Sequence, residues 1–165
     1  MARHRRGHRG PWHPGRGVGP DHVLLVRLHY NVTEALDGID APHALDVSDH
    51  PDLRDLLLAA DVLVTDYASL QFDFAVTGKP ILYFTYDLDH YRGDLRHFYL
   101  DFEELAPGPL LGTLDEVLDA LTDVTAATDG YQERYERFRK RFCDREDGHS
   151  TARVLDLVVP EPVTS

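Results

Sequence analysis

The chain has 165 residues, 42% of them hydrophobic, which allows one globular domain with a real core and excludes a disordered polymer. Its net charge of −12 is uneven: residues 1–20 hold Arg3, Arg5, Arg6, Arg9 and Arg16 and no acid, so the rest carries −17 (−12 less the arm's +5) and is a poor general binder of nucleic acid. Cys143 is the only cysteine, which excludes an intrachain disulfide and a Cys-rich metal site, and no apolar run approaches the ~18 residues of a membrane helix.

Residues 1–20 are rich in Gly, Pro, Arg and His without periodicity, and read as a disordered basic arm. The alternatives are a polybasic contact with an anionic membrane surface or a start with no selected role. No apolar stretch follows it, so it does not read as a secretory signal, and the expected location is the cytoplasm. The apolar run Val23–Val26 reads as a strand leading into Arg27, Leu28 and His29, and Ala44–Val47 as a weaker strand ending at Ser48 and Asp49. From Asp52 a helix is expected, with Leu53, Leu56, Leu57 and Ala60 on one face and Pro51 in its first turn. Val62, Leu63 and Val64 suit a buried parallel strand. Thr65, Asp66, Tyr67, Ala68 and Ser69 then form a polar turn, and a helix starts near Ser69 with Phe72, Ala75 and Val76 on its apolar face and Gly78 as its stop. Ile81–Phe84 is a further strand, emptying into Thr85, Tyr86 and Asp87.

This β-α-β-α-β order predicts an α/β fold with a doubly wound parallel sheet. If the four strands lie parallel in one sheet, His29, Ser48, Asp66, Ser69 and Asp87 gather on one edge, where open α/β sheets bind ligands. The helix near Ser69 is expected to aim unpaired N–H groups at an anion there. The plain alternative is that polar residues end strands in any protein. Residues 88–112 show no period, and Tyr91, Phe98, Tyr99 and Phe102 suggest a loop that packs aromatic rings, with a turn at Pro107-Gly108-Pro109. Thr113 and Glu116 predict a capping box for a helix through Leu121. Tyr131, Tyr135, Phe138 and Phe142 recur at helical spacing and read as core, and a last helix spans Ser150 to Val158. The expected organisation is an arm over 1–20, one nucleotide-binding domain over 21–160 and a tail over 161–165.

The ten histidines are scattered without helical pairing, so neither a zinc site nor any other metal or cofactor is expected. The P-loop, dinucleotide and nucleophile-elbow patterns are absent from the sequence. Asp61 and Asp66 flank a strand as acids do in phosphoryl-accepting signalling domains, but Lys79 precedes its strand where such domains need a lysine after one. Arg27 and His29 at a strand end have the chemistry to hold or protonate a phosphate, with a structural histidine as the alternative.

Several longer motifs occur in order: RLHY (Arg27–Tyr30), DVSDHPDLRDLLLAADVLVTDYASLQFDFA (Asp46–Ala75), KPILYFTYDLDHYRGDLRHFY (Lys79–Tyr99), APGP (Ala106–Pro109) and DGHSTARV (Asp147–Val154). Through them the chain resembles the C-terminal half of the CDP-glycerol glycerophosphotransferases, which build poly(glycerol phosphate) chains of teichoic acids. The resemblance implies one Rossmann-like half of a B-type glycosyltransferase fold, holding the CDP-glycerol donor. It implies His29 as the catalytic donor-side histidine, and Arg27, Ser48, Thr65, Asp66, Tyr67, Ser69 and Asp73 as substrate-binding residues. The implied partners are a glycerol-phosphate polymer or lipid-linked acceptor and a separate N-terminal half, and the implied place of action is the inner face of the cell membrane. Ala68 stands where the family usually has the first of two serines, and His97 where a glycine is usual. The family's first half, with its acceptor site, has no counterpart here, so the isolated chain is expected to bind CDP-glycerol weakly without turning it over. The rival readings are a non-catalytic nucleotide-binding module, an inactive fragment, and a transferase using CDP-ribitol or a nucleotide sugar.

Overall fold

The computed structural model describes residues 22–27, 43–88 and 102–159. The chain divides into two compact units, Met1–Asp49 and His50–Ser165. In the first, β1 (Leu24–Val26) pairs in parallel with β2 (Ala44–Asp46), Leu25 opposite Leu45. In the second, β3 (Leu63–Thr65), β4 (Ile81–Phe84) and β5 (Leu110–Leu111) form a parallel sheet in that order. Among the described residues every strand pairing is parallel, as the sequence predicts, in a two-stranded sheet in the first unit and a three-stranded sheet in the second.

The buried strand is β4, not the one at Val62–Val64. Ile81, Leu82 and Tyr83 are fully buried, because β4 is central and both faces are covered. The earlier run forms β3 at the sheet's edge, where Val64 stays 36% exposed. The short strand β5 replaces an expected loop, and its approach depends on Gly108. A Cβ at Gly108 would collide with the carbonyl oxygen of Ile81, and the Tyr83 N–H donates to the Pro109 carbonyl at 3.0 Å. Pro107-Gly108-Pro109, expected as a turn, bends the chain into β5 and is buried throughout.

Helix α1 (Leu53–Ala59) is capped by Asp52, whose carboxylate accepts from the Arg54 N–H at 2.9 Å, so Pro51 lies just outside the helix. Lys79 closes its other end, the ammonium donating to the carbonyls of Leu58 at 2.8 Å and Ala60 at 2.7 Å. Helix α2 (Leu70–Ala75) buries Gln71, Phe74 and Ala75 and leaves Val76 exposed. Gly78 ends this segment at φ +75°, a conformation that favours glycine. A short helix α3 (Phe102–Leu105) precedes β5. Helix α4 (Leu114–Thr122) carries the predicted capping box of Thr113 and Glu116. Helix α5 (Val124–Thr128) and one 3₁₀ turn lead to α6 (Gln132–Phe142), which bears the aromatic stripe.

Three of the stripe's four rings pack into the core, Phe138 buried and Tyr135 and Phe142 partly so, while Tyr131 sits in the preceding 3₁₀ turn. Phe138 is buried and stacks on Phe72 with ring centres 5.3 Å apart, while Phe142 meets Phe72 edge-on at 5.0 Å. Tyr135 donates its hydroxyl to the Lys79 carbonyl at 2.7 Å, and Arg139 donates to the Val76 carbonyl at 3.4 Å. Helix α6 is thus fixed to α2 by rings along one face and to the α2–β4 turn by hydrogen bonds. The last helix, α7 (Ser150–Val158), is tied at its start by Arg153, which pairs with Asp147 at 2.9 Å, while Leu157 remains 84% exposed.

Candidate functional site

The carboxyl ends of β3 and β4 carry the densest set of predicted residues. Thr65 closes β3 opposite Tyr83, and the chain turns at once. The Asp66 carboxylate accepts the Ala68 N–H at 3.0 Å, a short aspartate-centred turn that leaves the Asp66 side chain at the surface. Tyr67 sinks inward: its hydroxyl donates to Asp87 Oδ1 at 3.1 Å, and its ring stands edge-on to Phe102 at 5.4 Å. Ser69 occupies the cap position of α2 with helical backbone angles and makes no side-chain cap bond. Asp73 follows in the first turn of α2, exposed.

The start of α2, expected from sequence to aim N–H groups at an anion, has part of that set engaged within the chain. The helix has six residues. Two N–H groups of its first turn are engaged internally, Gln71 donating to the Ala68 carbonyl at 3.4 Å and Phe72 to the Ser69 carbonyl at 3.0 Å. With Asp66, Asp73 and Asp87 along this stretch, the edge offers carboxylate acceptors. Such groups suit the hydroxyls of a polyol or ribose better than a phosphate, which they repel. Among the described residues no cluster of three or more His, Cys, Asp or Glu side chains is arranged to hold a metal ion.

Arg27 and Ser48 belong to the first unit, where the Arg27 guanidinium donates to the Val47 carbonyl at 3.3 Å. Ser48 folds back on Asp46, its N–H donating to Oδ1 at 2.9 Å, and hydrogen bonds from its side chain and backbone hold the Asp46 carboxyl below its usual range. His29 lies outside the described residues. So do Tyr91, His97, Phe98 and Tyr99.

Sequence reasoning missed the support beneath the edge. The Tyr83 hydroxyl donates to Gln71 Oε1 at 2.7 Å in the core, and burial pushes the phenol's pKa up. Phe102 joins this pair to Tyr67, with its ring 5.2 Å from Tyr83. A tyrosine in a wholly apolar strand needs a buried partner for its hydroxyl, and that was the signal available in ILYF. A groove of about 290 Å³ against Pro80, Tyr131, Tyr135 and Arg139 lies at the amino end of β4 and includes none of the predicted residues.

The sequence pattern of the family described as CDP-Glycerol:Poly(glycerophosphate) glycerophosphotransferase matches residues 15–160. The chain belongs to this family. It is 39% identical over 143 residues to the teichoic acid glycerol-phosphate transferase of Staphylococcus aureus (strain NCTC 8325 / PS 47), covering 87% of this chain and 36% of that protein. It is 36% identical over 150 residues to the teichoic acid poly(ribitol-phosphate) polymerase of Bacillus spizizenii (strain ATCC 23059 / NRRL B-14472 / W23), covering 87% of this chain and 23% of that one. Among solved structures, the wall teichoic acid polymerase TagF, as a variant soaked with CDPG, superposes with a TM-score of 0.74 at 36% identity, over 83% of this chain and 34% of that one. This glycerophosphotransferase-family chain therefore spans about a third of the length of TagF and of the S. aureus relative. Its parallel strands and flanking helices are those of the matched part of TagF, so the Rossmann-like, B-type glycosyltransferase fold class read from sequence holds.

Proposed function

We propose that this chain supplies the donor side of glycerophosphate transfer from CDP-glycerol to a glycerol-phosphate acceptor in teichoic-acid-type polymer synthesis. The observation that carries the reading is the Asp66–Ser69 turn at the carboxyl end of a parallel strand, inside a family-wide sequence match. In the reaction, a terminal glycerol hydroxyl attacks the glycerol-bearing phosphorus. The new O–P bond forms, the bond to CMP breaks, and the hydroxyl proton is lost. The chain's part is positioning and charge stabilisation. Asp66, with Ser69 and Asp73 beside it, accepts hydrogen bonds from donor hydroxyls, and Thr65 lines the same edge. Arg27 and His29, cationic or proton-donating, serve the pyrophosphate and the departing CMP, with Ser48 as a further contact. Tyr67 was expected among the donor contacts, and its bond to Asp87 suits a supporting part instead.

The chain's span of about a third of its relatives supports a second element of the proposal. The acceptor half comes from another segment or a separate partner, and the chain alone binds without turnover. The place of action is the inner face of the cell membrane, although no described helix is long and apolar enough to cross it. The relationship to a ribitol-phosphate polymerase favours CDP-ribitol as the alternative donor.

Calorimetric titration of the pure chain with CDP-glycerol, CDP-ribitol and a UDP-sugar tests the reading, beside Asp66→Ala and His29→Ala. Saturable binding of CDP-glycerol that both variants weaken supports it, and stronger binding of CDP-ribitol shifts the donor. A folded chain that binds none of the three refutes donor binding by this chain alone. Turnover by the pure chain, abolished in His29→Ala, would overturn the need for an acceptor half.

A further inference from the structure

We propose that Tyr67 is a positioning residue of the donor edge, locking the turn that carries Asp66 and Ser69 onto the end of β4. The inference rests on the donor-side reading above and assigns Tyr67 a role through the turn rather than on the ligand. In the four-residue turn 66–69, the side chains of Asp66, Ala68 and Ser69 are exposed and Tyr67 alone is half-buried. Its hydroxyl bonds the Asp87 carboxylate at 3.1 Å across the gap between the ends of β3 and β4. A hydrogen bond to an ionised acceptor is stronger than a neutral one.

Its ring completes the lock. Tyr67 meets Phe102 edge-on at 5.4 Å, Phe102 meets Tyr83 at 5.2 Å, and Tyr83 bonds Gln71 at 2.7 Å. Gln71 belongs to α2, the helix that the turn enters. The contacts thus run from the middle of the turn, through the core, back to the element that follows it. A turn fixed in this way has less conformational freedom to lose when a ligand binds Asp66 and Ser69. The role needs a tyrosine: phenylalanine would keep the ring contact and lose the tie to Asp87.

The test reads two quantities on the full chain: amide hydrogen exchange of the segment 66–70 without ligand, and affinity for CDP-glycerol. The variants are Tyr67→Phe, Asp87→Ala, Tyr67→Phe/Asp87→Ala and Asp87→Asn. The expected result is exchange about tenfold faster, and affinity lower by a similar factor, in Tyr67→Phe and in Asp87→Ala. The double variant goes no further than either single one. Asp87→Asn, whose amide oxygen still accepts the phenol, recovers most of both. Unchanged exchange in Tyr67→Phe, additive losses in the double variant, or failure of the Asn rescue would each overturn the proposal. Because exchange is read without ligand, a wild-type chain that binds no CDP-glycerol would refute donor binding by this chain alone. The exchange series would still decide whether Tyr67 holds the turn.

Discussion

Replacing Tyr83 by Phe removes one oxygen from the centre of the core and tests the polar contact beneath the candidate site. Tyr83 is 0% exposed and Gln71 5%, and the bond between them is 2.7 Å long. Without the hydroxyl, the Gln71 amide oxygen stays buried with no donor from residue 83, at a cost of about 1–3 kcal/mol. Against a typical domain stability of about 5–15 kcal/mol, the change lowers Tm by roughly 3–12 °C. Gln71→Met alone strands the phenol hydroxyl and costs a comparable amount. Tyr83→Phe/Gln71→Met removes both polar groups at similar volume and costs less than about 1 kcal/mol. The cycle is read by urea unfolding followed by circular dichroism, with equal slopes for all four proteins. Single-variant losses that add in the double variant would refute the coupling. So would a Tyr83→Phe protein within about 0.5 kcal/mol of wild type.

Phe138→Ala opens a cavity beneath Phe72 and Phe142 and costs about 3–5 kcal/mol, measured in the same urea assay. Gly108→Ala drives a methyl into the Ile81 carbonyl and displaces β5 from β4, with a loss of about 3 kcal/mol or more and a lower thermal midpoint by circular dichroism. In alkali, burial raises the Tyr135 phenol from 10.0 to about 12, so the unfolded chain loses its proton first. Stability is therefore full below pH 10 and falls as the pH climbs toward 12, and Tyr135→Phe removes that share of the decline in denaturation series across the range. In acid, the hydrogen bond from Arg54 lowers Asp52 from 3.8 to about 2. Its contribution is present above pH 3.8 and is lost as the pH falls through 2, so thermal midpoints of Asp52→Asn decline less steeply there than those of wild type.

Local features were legible from sequence where a few neighbouring residues decide them. The capping box at Thr113 and Glu116, the stop at Gly78, the bounds of Ile81–Phe84 and the burial of the stripe through Phe138 follow from side-chain reach, backbone freedom and helical period. The family was also legible, because motifs spread over residues 27–153 keep their order whether or not each position's contacts are known. What one strand does in a sheet is a different matter. Val62–Val64 and Ile81–Phe84 look alike as apolar runs, yet one lies at an edge and the other is central. That depends on β5, a two-residue strand whose sequence carries no period and whose position depends on Gly108 fitting against Ile81. The turn at Asp66–Ser69 shows the same division. Its composition marks a strand end, but only the fold spends the N–H groups of Ala68, Gln71 and Phe72 internally and turns Tyr67 onto Asp87. The sequence by itself determined most of the elements and the family, since those rest on local periodicity, capping and the order of motifs along the chain. The tertiary structure alone decided which residues of the edge face outward and which support them, since each hydrogen-bonding group is assigned its partner only by residues brought close from far along the chain.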